Sequence, residues 1–138
     1  MSGDLITFLN ARLDEDAEIV ETIRSGGFPA PTWTTGPAKG GGWEILREAD
    51  DPTPLGYVTH GRREHVHIAR HDPAREDREV TAKRRILTRY EYACRQAAVN
   101  VGAEQEAWEK IAGALERDVL DLASIHSDHP DYRNEWAA

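Results

Sequence analysis

The dipeptide Asp72-Pro73 constrains this chain more than any other feature. An aspartate carboxylate accepts hydrogen bonds from the free amides of a helix's first turn. A proline fits the first helical position because it has no amide hydrogen to leave unpaired. Glu76 and Asp77 follow, where the positive end of the helix dipole favours carboxylates. Apolar residues then recur at Val80, Ala82, Ile86, Leu87, Tyr90, Cys94, Ala97 and Val101. Gaps of three and four trace one stripe down a helix, so a long helix is expected over 73–101. Arg75 with Glu79, Glu79 with Lys83 and Glu91 with Arg95 are spaced to pair on its wet face. Gly102 supplies the stop.

Other elements assemble around this one. A first helix is expected over 3–24, with Ile6, Leu9, Leu13, Val20 and Ile23 as its stripe, widened by Leu5 and Phe8. The run Asp14-Glu15-Asp16 reads as its solvated face. Residues 25–42 read as loop, with Pro31 to Thr35 around Trp33 as a candidate edge strand. Lys39 with Gly40, Gly41 and Gly42 is not a phosphate loop, because Trp43 to Leu46 reads as a strand and no Ser or Thr follows the lysine. Trp43 to Glu48 alternates, and Leu55 to His60 is a second β-rich run. The turn-rich Ala49 to Pro54 joins them, so 43–60 is expected to be an antiparallel hairpin. Residues 64–70 read either as a third strand, from the β character of His65-Val66-His67-Ile68, or as a short helix; the helix is favoured, broken from the long one because proline disfavours helical geometry in the residue before it. A third helix is expected over 103–126, with Trp108, Ile111, Ala112, Leu115, Val119, Leu122 and Ile125 as its stripe. The short link makes it an antiparallel partner of the central helix. Residues 127–138 form a tail whose Tyr132 and Trp136 dock on the body.

The expected fold class is therefore α+β: three main helices, the central and third as an antiparallel pair, with a small antiparallel β-hairpin. All 138 residues are expected to make a single domain, 1–138. No apolar run approaches the ~20 residues a membrane span needs. One cysteine, Cys94, makes no internal disulfide, and the start lacks a basic-then-apolar leader. These features point to the cytoplasm. A net charge of −8 argues against a general nucleic-acid binder, since phosphate contacts need unpaired cations.

Three phrases occur together: Asp4-Leu5 through Leu9 to Ala11-Arg12-Leu13-Asp14-Glu15-Asp16; His67-Ile68-Ala69-Arg70-His71-Asp72-Pro73-Ala74-Arg75 with Ala82-Lys83-Arg84-Arg85-Ile86; and Asp128-His129-Pro130-Asp131-Tyr132 with Glu135-Trp136. On these the chain resembles an uncharacterised family of small proteins from actinomycetes and their phages. The resemblance implies a bacterial or infected-cell setting and transfers no catalytic residue.

Three constellations can carry chemistry. His67 and His71, four apart, share a helix face as zinc-binding pairs do, and Asp72, His126 and His129 would complete a shell if the tail folds back. In the structural alternative, His67 and His71 hydrogen-bond backbone or the tail's Asp128 or Asp131, while Asp72 and Pro73 cap the helix. Lys83, Arg84, Arg85 and Arg89, with Arg78, crowd one length of the central helix, and Arg62 and Arg63 precede it. Nucleic acid or an acidic protein can dock on such a patch, although interleaved acids pair part of it. Cys94 lies on the apolar stripe, where a thiol is inert. No catalytic residue is assigned. The expectation is a non-enzymatic protein–protein interaction module without a cofactor, with a host or phage protein as partner and self-association as a further outcome. The alternatives are a zinc-binding protein or metal-dependent enzyme using the histidines, and a small nucleic-acid-binding regulator using the basic patch.

Overall fold

The computed structural model describes residues 2–26, 32–37, 44–48, 54–56 and 62–137. The Lys39 to Gly42 turn, Trp43 and the 57–60 part of the second β-rich run lie outside the described residues. So do the side chains of Arg62 and Arg63. The described chain is mostly helical, with three main helices: α1 (Ser2–Ser25), α3 (Pro73–Val99) and α4 (Ala103–Ser124). A shorter α2 (Arg62–Arg70) precedes α3, and a 3-10 turn, Asn134–Trp136, lies near the end. Three short strands, β1 (Trp33–Pro37), β2 (Glu44–Glu48) and β3 (Pro54–Gly56), pair antiparallel in the order β1-β2-β3. Trp33 lies opposite Glu48 and Pro37 opposite Glu44, and the β2–β3 register shifts between Leu46 and Arg47.

The chain forms two compact units: residues 1–15 with 80–138, and residues 16–79. The first has a helical core. Leu5, Phe8, Leu9 and Leu13 of α1 meet Leu87 and Tyr90 of α3, Val119 and Ala123 of α4, and Trp136 of the tail. The three-and-four spacing on α1 makes this possible, because it turns all four side chains to one face. Two contacts fix the run of α3 against α4. The Tyr90 hydroxyl donates to Glu116 at 3.0 Å, and the Tyr92 and Trp108 rings meet edge-on at 5.5 Å. Residues later in α3 meet residues earlier in α4, so the two helices are antiparallel.

The helix ends differ from expectation. The expected 73–101 helix stops at Val99, where the Asn100 amide group donates to the Gln96 carbonyl at 2.9 Å. Gly102 then turns the chain with φ of 64°, a conformation that costs other residues a clash at Cβ. Val101, expected on the buried stripe, is instead 82 % exposed, because it sits in this link beyond the helix. The expected 103–126 helix stops at Ser124. Ile125 is consequently exposed, lying where the backbone tightens into the His126 to Ala123 turn. The short helix expected over 64–70 starts two residues earlier, at Arg62.

The second unit depends on different groups. Asp72 is buried, and its Oδ1 accepts the Arg75 amide at 2.8 Å, a first-turn cap on α3. Its Oδ2 accepts the Trp33 amide at 3.3 Å, so one carboxylate ties the start of β1 to the start of α3. Pro73 is fully buried beside it. Such a cap contributes about 1 kcal/mol. α2 packs on β1 and β2. Arg24 reaches Asp77 at 3.3 Å, and Arg75 bridges Glu79 at 2.7 Å. α1 closes at Gly26, whose amide donates to Thr22 at 3.0 Å; a Cβ there would stand 2.9 Å from that same carbonyl oxygen.

Candidate functional site

The tail fastens onto α1 through one ring. Phe8 meets His126, His129, Tyr132 and Trp136, with ring centroids between 5.0 and 6.2 Å apart. The Arg133 guanidinium adds an ion pair to Asp4 at 2.8 Å. His71 places Nδ1 3.4 Å from Glu76. His129 uses its own Nδ1 to accept the Asp131 amide at 3.1 Å, which puts the proton of the neutral ring on Nε2.

A cleft of about 520 Å³ lies where the tail crosses α1, lined by Asp4, Thr7, Phe8, Ala11, Arg12, Pro130, Asp131, Tyr132, Arg133 and Trp136. Arg12 is unusual there. Its side chain is 8 % exposed; Nη2 donates to Glu15 at 2.7 Å, yet Nε and Nη1 are buried without an acceptor. The indole Nε1 of Trp136 is likewise buried and unmet. Each such donor costs about 1–3 kcal/mol relative to a paired one. The Phe8 ring lies under the guanidinium, 5.4 Å from Cζ, which offsets part of the charge burial but satisfies no in-plane N–H.

A second opening, about 610 Å³, lies between α3 and α4. Its lining joins the small residues Ala97, Ala98, Ala112 and Gly113 with Tyr90, Cys94, Gln105, Glu109 and Glu116. Burial first, and the hydrogen bond to Glu116 second, push the Tyr90 phenol above its ordinary range, with Cys94 nearby adding to the shift. Tyr90 is therefore a neutral donor at physiological pH and no base. Cys94 is half-buried against the core cluster.

The histidines and cations of the sequence reading lie as follows. His67 and His71 bring their rings to 4.6 Å, both exposed, on α2 and the turn after it. His129 belongs to the other compact unit. Among the described residues no group of three His, Cys, Asp or Glu side chains is arranged to hold a metal ion. Along α3, Arg84 is occupied by Asp14 at 2.7 Å and by the Leu13 carbonyl at 3.3 Å. Arg85 and Arg89 are exposed and Lys83 is half-buried. Pairing on the wet face includes Arg75 with Glu79, and Arg95 with Glu91 at 3.9 Å. Among the described residues no helix is long and apolar enough to cross a membrane.

Comparison with known protein families matches residues 2–138 to a family of unknown function, DUF6221. The chain belongs to that family. The match covers both compact units, so the tail cleft and the opening between α3 and α4 both lie inside the DUF6221 region. No curated protein and no solved structure matches the chain.

Arg12 and the Trp136 indole escape a reading made by local pattern. The signal for Arg12 is nevertheless present in the DUF6221 chain. It stands four residues after Phe8 and seven after Leu5, on the apolar face of its helix. A cation on a buried stripe asks what satisfies it.

Proposed function

We propose that this protein is a non-enzymatic module that binds another protein through the face where α3 ends and α4 begins. The observation behind the proposal is unused apolar surface: Tyr92, Val99 and Ile111 are 48 %, 74 % and 43 % exposed. Tyr92 and Val99 are seven apart and share a helix face, and Tyr92 leans on Trp108. Exposed apolar side chains that share a helix face mark binding sites. The opening between α3 and α4, with alanine and glycine in its lining, is a further concavity that admits a partner's bulky side chain. Glu109 and Glu116 in that lining favour a partner whose apolar stripe is flanked by Lys or Arg.

The finer setting is part of the same proposal: one α+β domain of three main helices with a small antiparallel hairpin, working in the cytoplasm of an actinomycete or a phage-infected cell. The test is capture from actinomycete lysate by the full chain and by the double variant Tyr92→Glu, Val99→Glu. Tyr92→Glu also removes the ring contact to Trp108, so the helical circular dichroism of the variant is checked before capture is compared. The reading expects a protein captured by the first and lost by the second. Equal capture by both chains overturns it. Light scattering on the same samples identifies self-association as the occupant if the 15.5 kDa chain runs at twice its mass and the variant does not. A zinc-binding reading has one supporting observation, the 4.6 Å approach of the His67 and His71 rings. Zinc near one per chain in protein purified without added metal would raise it above the first.

A further inference from the structure

Three buried N–H donors belong to residues that line the cleft between the tail and α1: Nε and Nη1 of Arg12 and Nε1 of Trp136. Only donors are left over, so the missing partner is a group that accepts and does not donate. An ionised carboxylate or a phosphate has that character. The charges of the cleft separate the two. Arg133 is already committed to Asp4 at 2.8 Å and Glu135 at 3.7 Å, and Arg12 itself bonds Glu15. Asp4 and Asp131 also line the walls. A dianionic phosphate would meet twice the repulsion from those carboxylates that a single negative charge meets, and the single charge needs only the two unmet nitrogens of Arg12. The rest of the lining is Thr7, Ala11 and Pro130 with the rings of Phe8, Tyr132 and Trp136.

From this geometry we infer that the cleft is a ligand site for a small aromatic monocarboxylate. Its carboxylate accepts from Arg12 and from the Trp136 indole, and its ring lies against Phe8 and Tyr132. Bonds between a guanidinium and a carboxylate are among the stronger ones in proteins, and burial strengthens them further. The three donors are shielded from water, so the ligand enters when the tail wall, residues 130–136, moves outward from α1. The site stands apart from the proposed protein-binding face and does not depend on it.

The experiment titrates phenylacetate into the full chain by calorimetry and by ligand-observed saturation-transfer NMR. Phenylacetamide and inorganic phosphate serve as comparison probes. Phenylacetate is expected to saturate one site per chain, with the other two probes at least about tenfold weaker. Arg12→Gln is expected to weaken phenylacetate by about tenfold or more, as loss of a charge-assisted bond does. Trp136→Phe keeps an aromatic ring in the core and removes only the indole donor, so a loss of about threefold to tenfold is expected. It decides the matter if Arg12→Gln does not fold. The inference fails if folded wild-type protein shows no saturable phenylacetate binding. It also fails if every folded variant binds as the wild type does, or if phosphate or phenylacetamide binds as well as phenylacetate.

Discussion

In residues 1–15 with 80–138, nine core side chains from three helices and the tail touch one another, none more than 6 % exposed. Among the described residues of 16–79, the buried ones are Val20, Gly36, Asp72 and Pro73. The first region is held by shape and apolar area. The second leans on strand pairing, a helix cap and a carboxylate with two amides on it. Apolar packing spreads its energy over many contacts, each small, so it punishes lost volume. A cap concentrates its energy in one or two bonds, so it punishes one lost atom.

The largest break in that comparison is Phe8→Ala. Phe8 touches the rings of His126, His129, Tyr132 and Trp136, so its removal both opens a cavity and releases the tail. A loss of about 3–5 kcal/mol in urea unfolding is expected. A loss below about 1 kcal/mol would show that the tail adds little to the core. Next comes Asp72→Ala, with about 1–2 kcal/mol expected from the cap and its second bond. Native-state hydrogen exchange sharpens the contrast. The Arg75 and Trp33 amides should lose protection while amides around Leu87 and Val119 keep theirs. Uniform loss at all four would mean that the two regions do not differ in the way described.

The smallest effect is Tyr90→Phe, about 1 kcal/mol or less at neutral pH, from loss of the bond to Glu116. Its sign with pH is the more telling part. Burial raises the phenol's folded pKa above its ordinary value near 10. Above that pH the unfolded chain loses this proton while the folded chain keeps it, so stability falls as the pH rises. Unfolding followed from pH 8 to 11 should show a decline that Tyr90→Phe makes shallower. An unchanged slope would remove Tyr90 from the account.

The three main helices were legible because their stripes are local: Leu5, Leu9 and Leu13, or Leu87 and Tyr90, declare a face within two turns. Their ends were less legible. Asn100 and Gly102 close α3 through single bonds and one dihedral angle, and periodicity carries no record of either. Residues that are far apart in the chain were the least legible. Nothing near Trp136 names Phe8 as its neighbour, and nothing near Asp14 names Arg84. The spacing of His67 and His71 brought two rings together, and Glu76, five residues from His71, lies beside its Nδ1. Arg12 was readable in principle, as a cation on an oily face, but its unmet donors appear only once Phe8 and the tail are in place.

That the helical core brings Phe8 and Trp136, far apart in sequence, into contact has a consequence during synthesis. Phe8 leaves the ribosome early, and Trp136, which lies 5.0 Å from it ring to ring, leaves late. At about 5–20 residues per second the nascent α1 waits on the order of ten seconds for that contact. Through that interval its oily side is open to chaperones and to other unfinished copies, so slow translation or interruption before Trp136 should favour aggregation.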